Sequence, residues 1–217
     1  MHVSLGGARV RVVFSNAFGT SPLPIGAAHV APRTSGSSIA AGAGKPLTFG
    51  GRPGITIPAG ASAVSDPVDV AVSPLSDLAI DLYLPGDAAT LTSLTAHNGA
   101  WQTNYVSQPG NHVGALSFPV AATVPSWFFL ARVEVTAPAA AGAVVAFGDS
   151  ITDGTRSTND TNSRWPDFFA KRLEESRGRS MGVLNLGIGG NRVLADALPT
   201  PAYNAGIGAL ARFDRDV

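Results

Sequence analysis

Four apolar residues, Val144-Val145-Ala146-Phe147, run directly into Gly148-Asp149-Ser150, and the Gly-bearing turn Ile151-Thr152-Asp153-Gly154 follows. An apolar run this short, closed by glycine, reads as a buried strand of a parallel sheet. Ligands of open α/β sheets bind at the carboxyl ends of the strands. Ser150 is therefore expected at the rim of a sheet, with its hydroxyl outside the core, where a nucleophile belongs.

The chain on either side of this stretch has two characters. From Thr161 onward it reads as helix, then strand. Ser163 is a candidate cap, and Pro166 falls in the first turn, where its missing N–H does no harm. Trp165, Phe168, Phe169 and Leu173 repeat at helical spacing as one apolar stripe, and Lys171, Arg172, Glu174 and Glu175 face water. Gly178 is the expected stop. Met181–Leu186 is the second parallel strand, so strand, helix and strand form one βαβ unit, right-handed by default. A last helical segment is expected from Asn204 to Phe213.

Residues 1 to 138 read as all-β. Ala8–Phe14, Gly54–Ile57, Leu78–Leu84 and Phe128–Val135 are strand-like, with Gly-, Pro- and Ser-rich connectors between them. In Asp77–Leu84 the even positions are all large and apolar, a period of two that buries one face, and Pro85-Gly86-Asp87 ends the run as a turn. In Ser126–Thr136, residues Phe129, Ala131, Val133 and Val135 share a face. Short strands with frequent turns predict a β-sandwich or jelly roll. Leu91–Val113 holds His97, Trp101, Gln102, Asn104, Tyr105 and His112 and reads as an irregular loop. Residues 139–143 form a small, apolar linker, and 144–217 are the start of an α/β domain.

Composition narrows the partners. The 217 residues carry 15 Lys+Arg and 15 Asp+Glu, so the formal net charge is zero. Nucleic acid or an anionic membrane surface would call for a basic stripe. With no cysteine, disulfides and thiolate metal sites are excluded. Met1-His2-Val3-Ser4 lacks a basic region followed by an apolar one, and no apolar run is long enough to cross a bilayer. Secretion and a cytoplasmic location both stay open.

Gly148-Asp149-Ser150-Ile151-Thr152-Asp153-Gly154 resembles the GDSxTxG block I of the SGNH (GDSL) hydrolase superfamily. Asn185-Leu186-Gly187-Ile188-Gly189-Gly190-Asn191, which follows the second strand, resembles block II. The resemblance implies a flavodoxin-like, three-layer α/β domain and an esterase, lipase or deacetylase activity on a small-molecule or carbohydrate ester, without metal or organic cofactor. It implies Ser150 as nucleophile and Gly190 as a backbone donor to the oxyanion. A serine hydroxyl needs such donors as well as a base. Asp149 is the third candidate, read mainly as a carboxylate that accepts turn N–H groups. Gly187–Gly190 does not complete a nucleotide-binding G-x-G-x-x-G, because Arg192 takes the last place. Asn159-Asp160-Thr161 is a glycosylation sequon, a triplet frequent by chance.

The family also uses an Asn in G-x-N-D and an Asp and His in D-x-x-H. Neither pattern occurs here. All four histidines, His2, His29, His97 and His112, fall in the β-rich part and read as satisfied loop or surface residues; only His97 or His112 is a conceivable base. Two strands are few for such a sheet and would leave apolar surface exposed. The expectation is a polypeptide completed by a C-terminal segment or second chain that supplies the remaining strands, the Asn and the Asp–His pair. The competing reading is a carbohydrate-binding module using Trp101, Tyr105 and Trp127, with a non-catalytic hydrolase remnant.

Overall fold

A computed structural model describes residues 1–86, 91, 93–176, 180–197 and 205–217. They form small β-sheets with few helices, in two compact units: Met1–Asn98 with Thr103–Ala137, and Gly99–Gln102 with Pro138–Val217.

The first unit begins with β1 (His2–Val3), β2 (Val10–Ser15), β3 (Leu23–Ile25), β4 (Ala27–Ser35) and β5 (Ser38–Ile39). It continues with β6 (Lys45–Leu47), β7 (Ile55–Ile57), β8 (Ser62–Val64) and β9 (Ser76–Tyr83). It ends with β10 (Ala96–His97), β11 (Asn104–Ser107), β12 (Val120–Val124), β13 (Trp127–Phe128) and β14 (Leu130–Val135). One sheet runs β1-β9-β4-β5, with β6 also on β4, and a second runs β14-β2-β8. The pairs β3-β7, β10-β13 and β11-β12 stand apart from these, and each pairing in the unit is antiparallel.

Alternation explains why these segments pair. Along β9, Leu78 is fully buried, and Ile80, Leu82 and Leu84 pack partly buried on the same core as Val12, Phe14 and Val30. Burying a Leu or Phe side chain stabilises by about 1.5–3 kcal/mol, so a slip of one residue, which would turn that face outward, is strongly disfavoured. The expected single face of Ser126–Thr136 is interrupted. Phe129 has φ +60° and separates β13 from β14, and the register shifts again between Leu130 and Arg132. Phe129 is buried and Val133 and Val135 pack on the core, but Ala131 is exposed. The extra residue changes the side on which following residues emerge.

The expected loop at Leu91–Val113 contains two short strands, β10 and β11. Between them, Gly99–Gln102 clusters with the second unit. Ala100 is buried there, and its carbonyl accepts from the Arg164 guanidinium. The Trp101 carbonyl accepts from the Asp160 N–H at 3.1 Å, and Trp101 itself has φ +51°. Thr92 lies outside the described residues, as does Asp87 of the expected Pro85-Gly86-Asp87 turn.

The second unit contains β15 (Gly142–Gly148), α1 (Ser150–Asp153), α2 (Trp165–Glu175), β16 (Met181–Gly187) and α3 (Ala209–Asp216). β15 and β16 are parallel and in register from Gly142 opposite Met181 to Gly148 opposite Gly187. α2 packs on β16, and α1 on both strands. Three local expectations change. Ser163 does not cap α2; Arg164 is the cap residue, and its N–H donates to the Asp167 carboxylate at 2.9 Å. A carboxylate at the third helical position satisfies a donor that the helix leaves unpaired. The side of α2 that buries is marked by Pro166 and Ala170, whereas Trp165 and Phe168 are about half exposed. The final helix starts at Ala209 and ends at Asp216. Asn204 and the expected stop Gly178 lie outside the described residues; α2 ends at Glu175, and the N–H of its C-cap Ser176 donates to the Arg172 carbonyl.

Candidate active site

β15 and β16 end level with each other, each at a glycine, and a loop leaves each end. The covalent pattern apolar run–Gly–polar turn puts the loops side by side, because a parallel pair brings both carboxyl ends to one edge. The Ile188 N–H donates across to the Gly148 carbonyl at 3.1 Å and ties the second loop to the first strand.

The first loop turns at once into α1. Asp149 is its N-cap, and its Oδ1 accepts from the Ile151 N–H at 3.0 Å. This is the loop-fixing part expected of Asp149, and it satisfies one of the orphan donors of a helix start. Ser150 is half-buried at the first helical position. The Ser150 carbonyl accepts from the N–H groups of both Gly154 and Thr155, and Gly154 closes the turn at φ +98°. The Ile151 side chain is 75% exposed, so the turn presents apolar surface beside the serine.

The second loop is held by the side chains of Asp153, Asn185 and Asn191. Asp153 is buried, and its Oδ2 accepts from the Gly189 N–H at 2.9 Å. Asn185 donates to the Thr152 carbonyl at 2.8 Å and accepts from the Gly187 N–H at 3.0 Å. Asn191 donates to the Ala205 and Ile207 carbonyls at 2.9 and 2.8 Å. Gly190 itself is exposed with φ +70°, a backbone shape that favours glycine.

Two further glycines give α1 room to sit on the strand ends. A Cβ on Gly187 would lie 2.1 Å from the Asp153 backbone nitrogen, and one on Gly148 would lie 2.3 Å from the Thr152 hydroxyl oxygen. Asp149 thus shapes one loop while Asp153 joins it to the other.

Among the described residues, the backbone N–H groups of Ser150 and Gly190 donate to no partner. The N–H groups of Ile151, Asp153, Gly189 and Asn191 are engaged: Ile151 with the Asp149 side chain, Asp153 with the Asp149 carbonyl, Gly189 with the Asp153 side chain and Asn191 with the Ile188 carbonyl. Residues 146–217 match the GDSL-like lipase/acylhydrolase family. The C-terminal part of the chain is therefore related to the SGNH/GDSL hydrolases, and the match spans both loops. Comparison with curated proteins finds no match.

The unit that matches this hydrolase family holds no histidine. Of the four in the first unit, His2 pairs with Asp77 at 2.8 Å, and His112 Nε2 lies 3.3 Å from the Pro109 carbonyl. His29 departs from the expectation of a satisfied surface residue. It is half-buried 3.7 Å from Asp81, and its buried Nδ1 has no hydrogen-bond partner. Burial depresses the His29 pKa, opposed by the Asp81 charge, and burial raises that of Asp81. The three aromatics of the carbohydrate reading are divided: Tyr105 and Trp127 lie on β11 and β13 of the first unit, Trp101 in the second. Among the described residues no cluster of His, Cys, Asp or Glu has metal-binding spacing, and no helix is long and apolar enough to cross a membrane.

Proposed function

We propose that the chain is the nucleophile-bearing part of a serine ester hydrolase of the carboxylesterase or acetylesterase type. One observation carries this reading: two unpartnered backbone N–H groups, on Ser150 and Gly190, at the adjacent ends of two parallel strands, with a serine hydroxyl on one of them. Donors aimed at a developing oxyanion are worth about 3–4 kcal/mol each in the transition state. The match of residues 146–217 to GDSL-like acylhydrolases supports a hydrolase in general.

In the proposed reaction the Ser150 Oγ attacks the ester carbonyl carbon, and its proton passes to a histidine. The carbonyl oxygen becomes an oxyanion, held by the N–H groups of Ser150 and Gly190 and by an asparagine side chain. Collapse expels the alcohol, which takes the proton from the histidine. Water, deprotonated in the same way, then releases the acid from Ser150. The asparagine and the Asp–His pair come from polypeptide other than these 217 residues, either a C-terminal continuation or a second chain. That polypeptide also supplies further strands of a flavodoxin-like sheet beside β15 and β16. The proposed organisation is an accessory β-sandwich or jelly roll over 1–138, a linker at 139–143, and the start of the hydrolase domain over 144–217.

The test is Ser150→Ala in the complete protein, assayed on a short aryl ester. Turnover is expected to vanish while circular dichroism is unchanged, and an organophosphonate is expected to label the unaltered protein at Ser150. Hydrolysis that persists in the variant rules the proposal out.

A further inference from the structure

Arg212 is a cation with 1% of its surface exposed, on a helix whose Leu210 and Phe213 are exposed. A buried charge is expensive unless every donor is matched, and here each is. Nε donates to Asn191 Oδ1 at 3.1 Å. Nη1 donates to the Leu186 carbonyl at 3.0 Å and to Asp216 Oδ2 at 2.8 Å. Nη2 donates to the Gly148 carbonyl at 3.2 Å and to Asn191 Oδ1 at 3.1 Å. Those are the five N–H groups a guanidinium has. The group also stacks 3.9 Å from the centroid of the Phe147 ring.

The acceptors are informative. Asp216 lies one turn along the same helix and balances the charge. The other three lie around the strand ends and loops described above. The Gly148 carbonyl belongs to the peptide that enters Asp149-Ser150. The Leu186 carbonyl belongs to the peptide that enters the second loop. Asn191 directly follows Gly190. One planar, rigid group therefore spans both strands and the glycine turn, and fixes the tilt of the peptides from which the two unpartnered N–H groups follow.

We propose that Arg212 is a positioning residue for ester hydrolysis, holding the Ser150 and Gly190 N–H groups in one geometry through the Gly148 and Leu186 carbonyls and the Asn191 side chain. This rests on the reading of Ser150 as nucleophile. Arg212 touches no substrate; its effect is on the alignment of donors, and a misplacement of about 1 Å costs on the order of 10²-fold in rate.

Arg212→Lys keeps the charge but offers three donors and no planar fork. Kinetics on an aryl ester are measured in the complete protein, with active sites counted as Ser150 labelled by a fluorophosphonate. The expected result is a fall in kcat per labelled serine of about 10²-fold, with KM within about twofold. A role confined to stability would lower the melting temperature and the folded yield but leave kcat per labelled serine unchanged. Arg215→Gln, which alters the exposed neighbour that also pairs with Asp216, is the control and keeps the unaltered kcat. If Arg212→Lys yields no folded protein, Asn191→Ala decides, because it removes the acceptor of two of the five N–H groups; kcat per labelled serine is expected to fall about tenfold. An unchanged kcat per labelled serine in whichever variant folds, or a loss confined to KM, overturns the role of Arg212 alone. Turnover that survives Ser150→Ala overturns the hydrolase reading itself.

Discussion

The Ser150 N–H opens a helix, where backbone donors lack intrahelical partners, and in the proposed reaction it and the Gly190 N–H on the neighbouring loop hold the oxyanion. Asp149 shows how one residue sets this up. Its carboxylate takes the Ile151 N–H at 3.0 Å and leaves the Ser150 N–H unused. Capping needs an oxygen acceptor, not a charge, so asparagine should serve nearly as well as aspartate. Asp149→Asn is expected to stay within a few tenths of a kcal/mol of the unaltered stability and keep most of the esterase rate, whereas Asp149→Ala is expected to lose about 1 kcal/mol. Denaturant midpoints and kcat for the two variants check this. Equal inactivity of both would assign Asp149 a direct part in the chemistry. For Ser150 the same scale was legible from the sequence, since a short apolar run ending in glycine is a local signal. Asp153 was not, because a carboxylate in a turn looks the same whether it faces water or, as here, a glycine amide 36 residues further on.

Among the elements, the fit of α1 onto the ends of β15 and β16 governs the site. Gly187 sits opposite Gly148 in the parallel register. A methyl group at Gly187 would meet backbone, the Asp153 nitrogen at 2.1 Å and its Cα at 2.6 Å, and backbone cannot rotate away as a side chain can. Gly187→Ala is therefore expected to push α1 off the strand ends, with a stability loss of about 1–3 kcal/mol and a larger fall in kcat than in affinity. Thermal unfolding and steady-state kinetics read the two effects separately; a variant with wild-type kcat would show that α1 tolerates displacement. Elsewhere the two-residue period of β9 behaved as its pattern requires, whereas the helical stripe of α2 did not, since Trp165 and Phe168 are about half exposed. Irregular segments departed further. The break at Phe129 and the exposure of Ala131 follow from a positive φ and a register shift. The pattern Phe-Leu-Ala-Arg-Val carries no mark of either.

Across the molecule, each of the two units carries a paired carboxylate whose stabilising contribution is lost in acid. In the first, Asp77 on β9 joins three strands of one sheet: it accepts from His2 of β1 at 2.8 Å and pairs with Arg33 of β4. The hydrogen bond from His2 and the Arg33 guanidinium, against burial, hold the Asp77 carboxyl far below its ordinary 3.8. The folded state then binds fewer protons than the unfolded state over that range. The stabilisation is present above the ordinary carboxylate pKa and is lost as pH falls below about 4. Asp77→Asn should lower stability at neutral pH and flatten this acid limb, read as the urea midpoint of the first unit at descending pH. An acid limb as steep as that of the unaltered protein would assign the acid response to other carboxylates. In the second unit, burial pushes Asp216 up, but hydrogen bonds from Arg215 and Arg212 outweigh it and hold the carboxyl below its ordinary range. By itself, the sequence determined what depends on neighbours along the chain: the strand that runs into Ser150, the helix after Pro166, the second strand, and the two-residue period of β9. Only the tertiary structure decided that Arg212 reaches Gly148 across 64 positions, that α1 rests on Gly187, and that Gly99–Gln102 joins the second unit. Periodicity is imposed by backbone geometry and is written locally. A contact between distant residues depends on how elements pack, and its partners leave no local pattern to read.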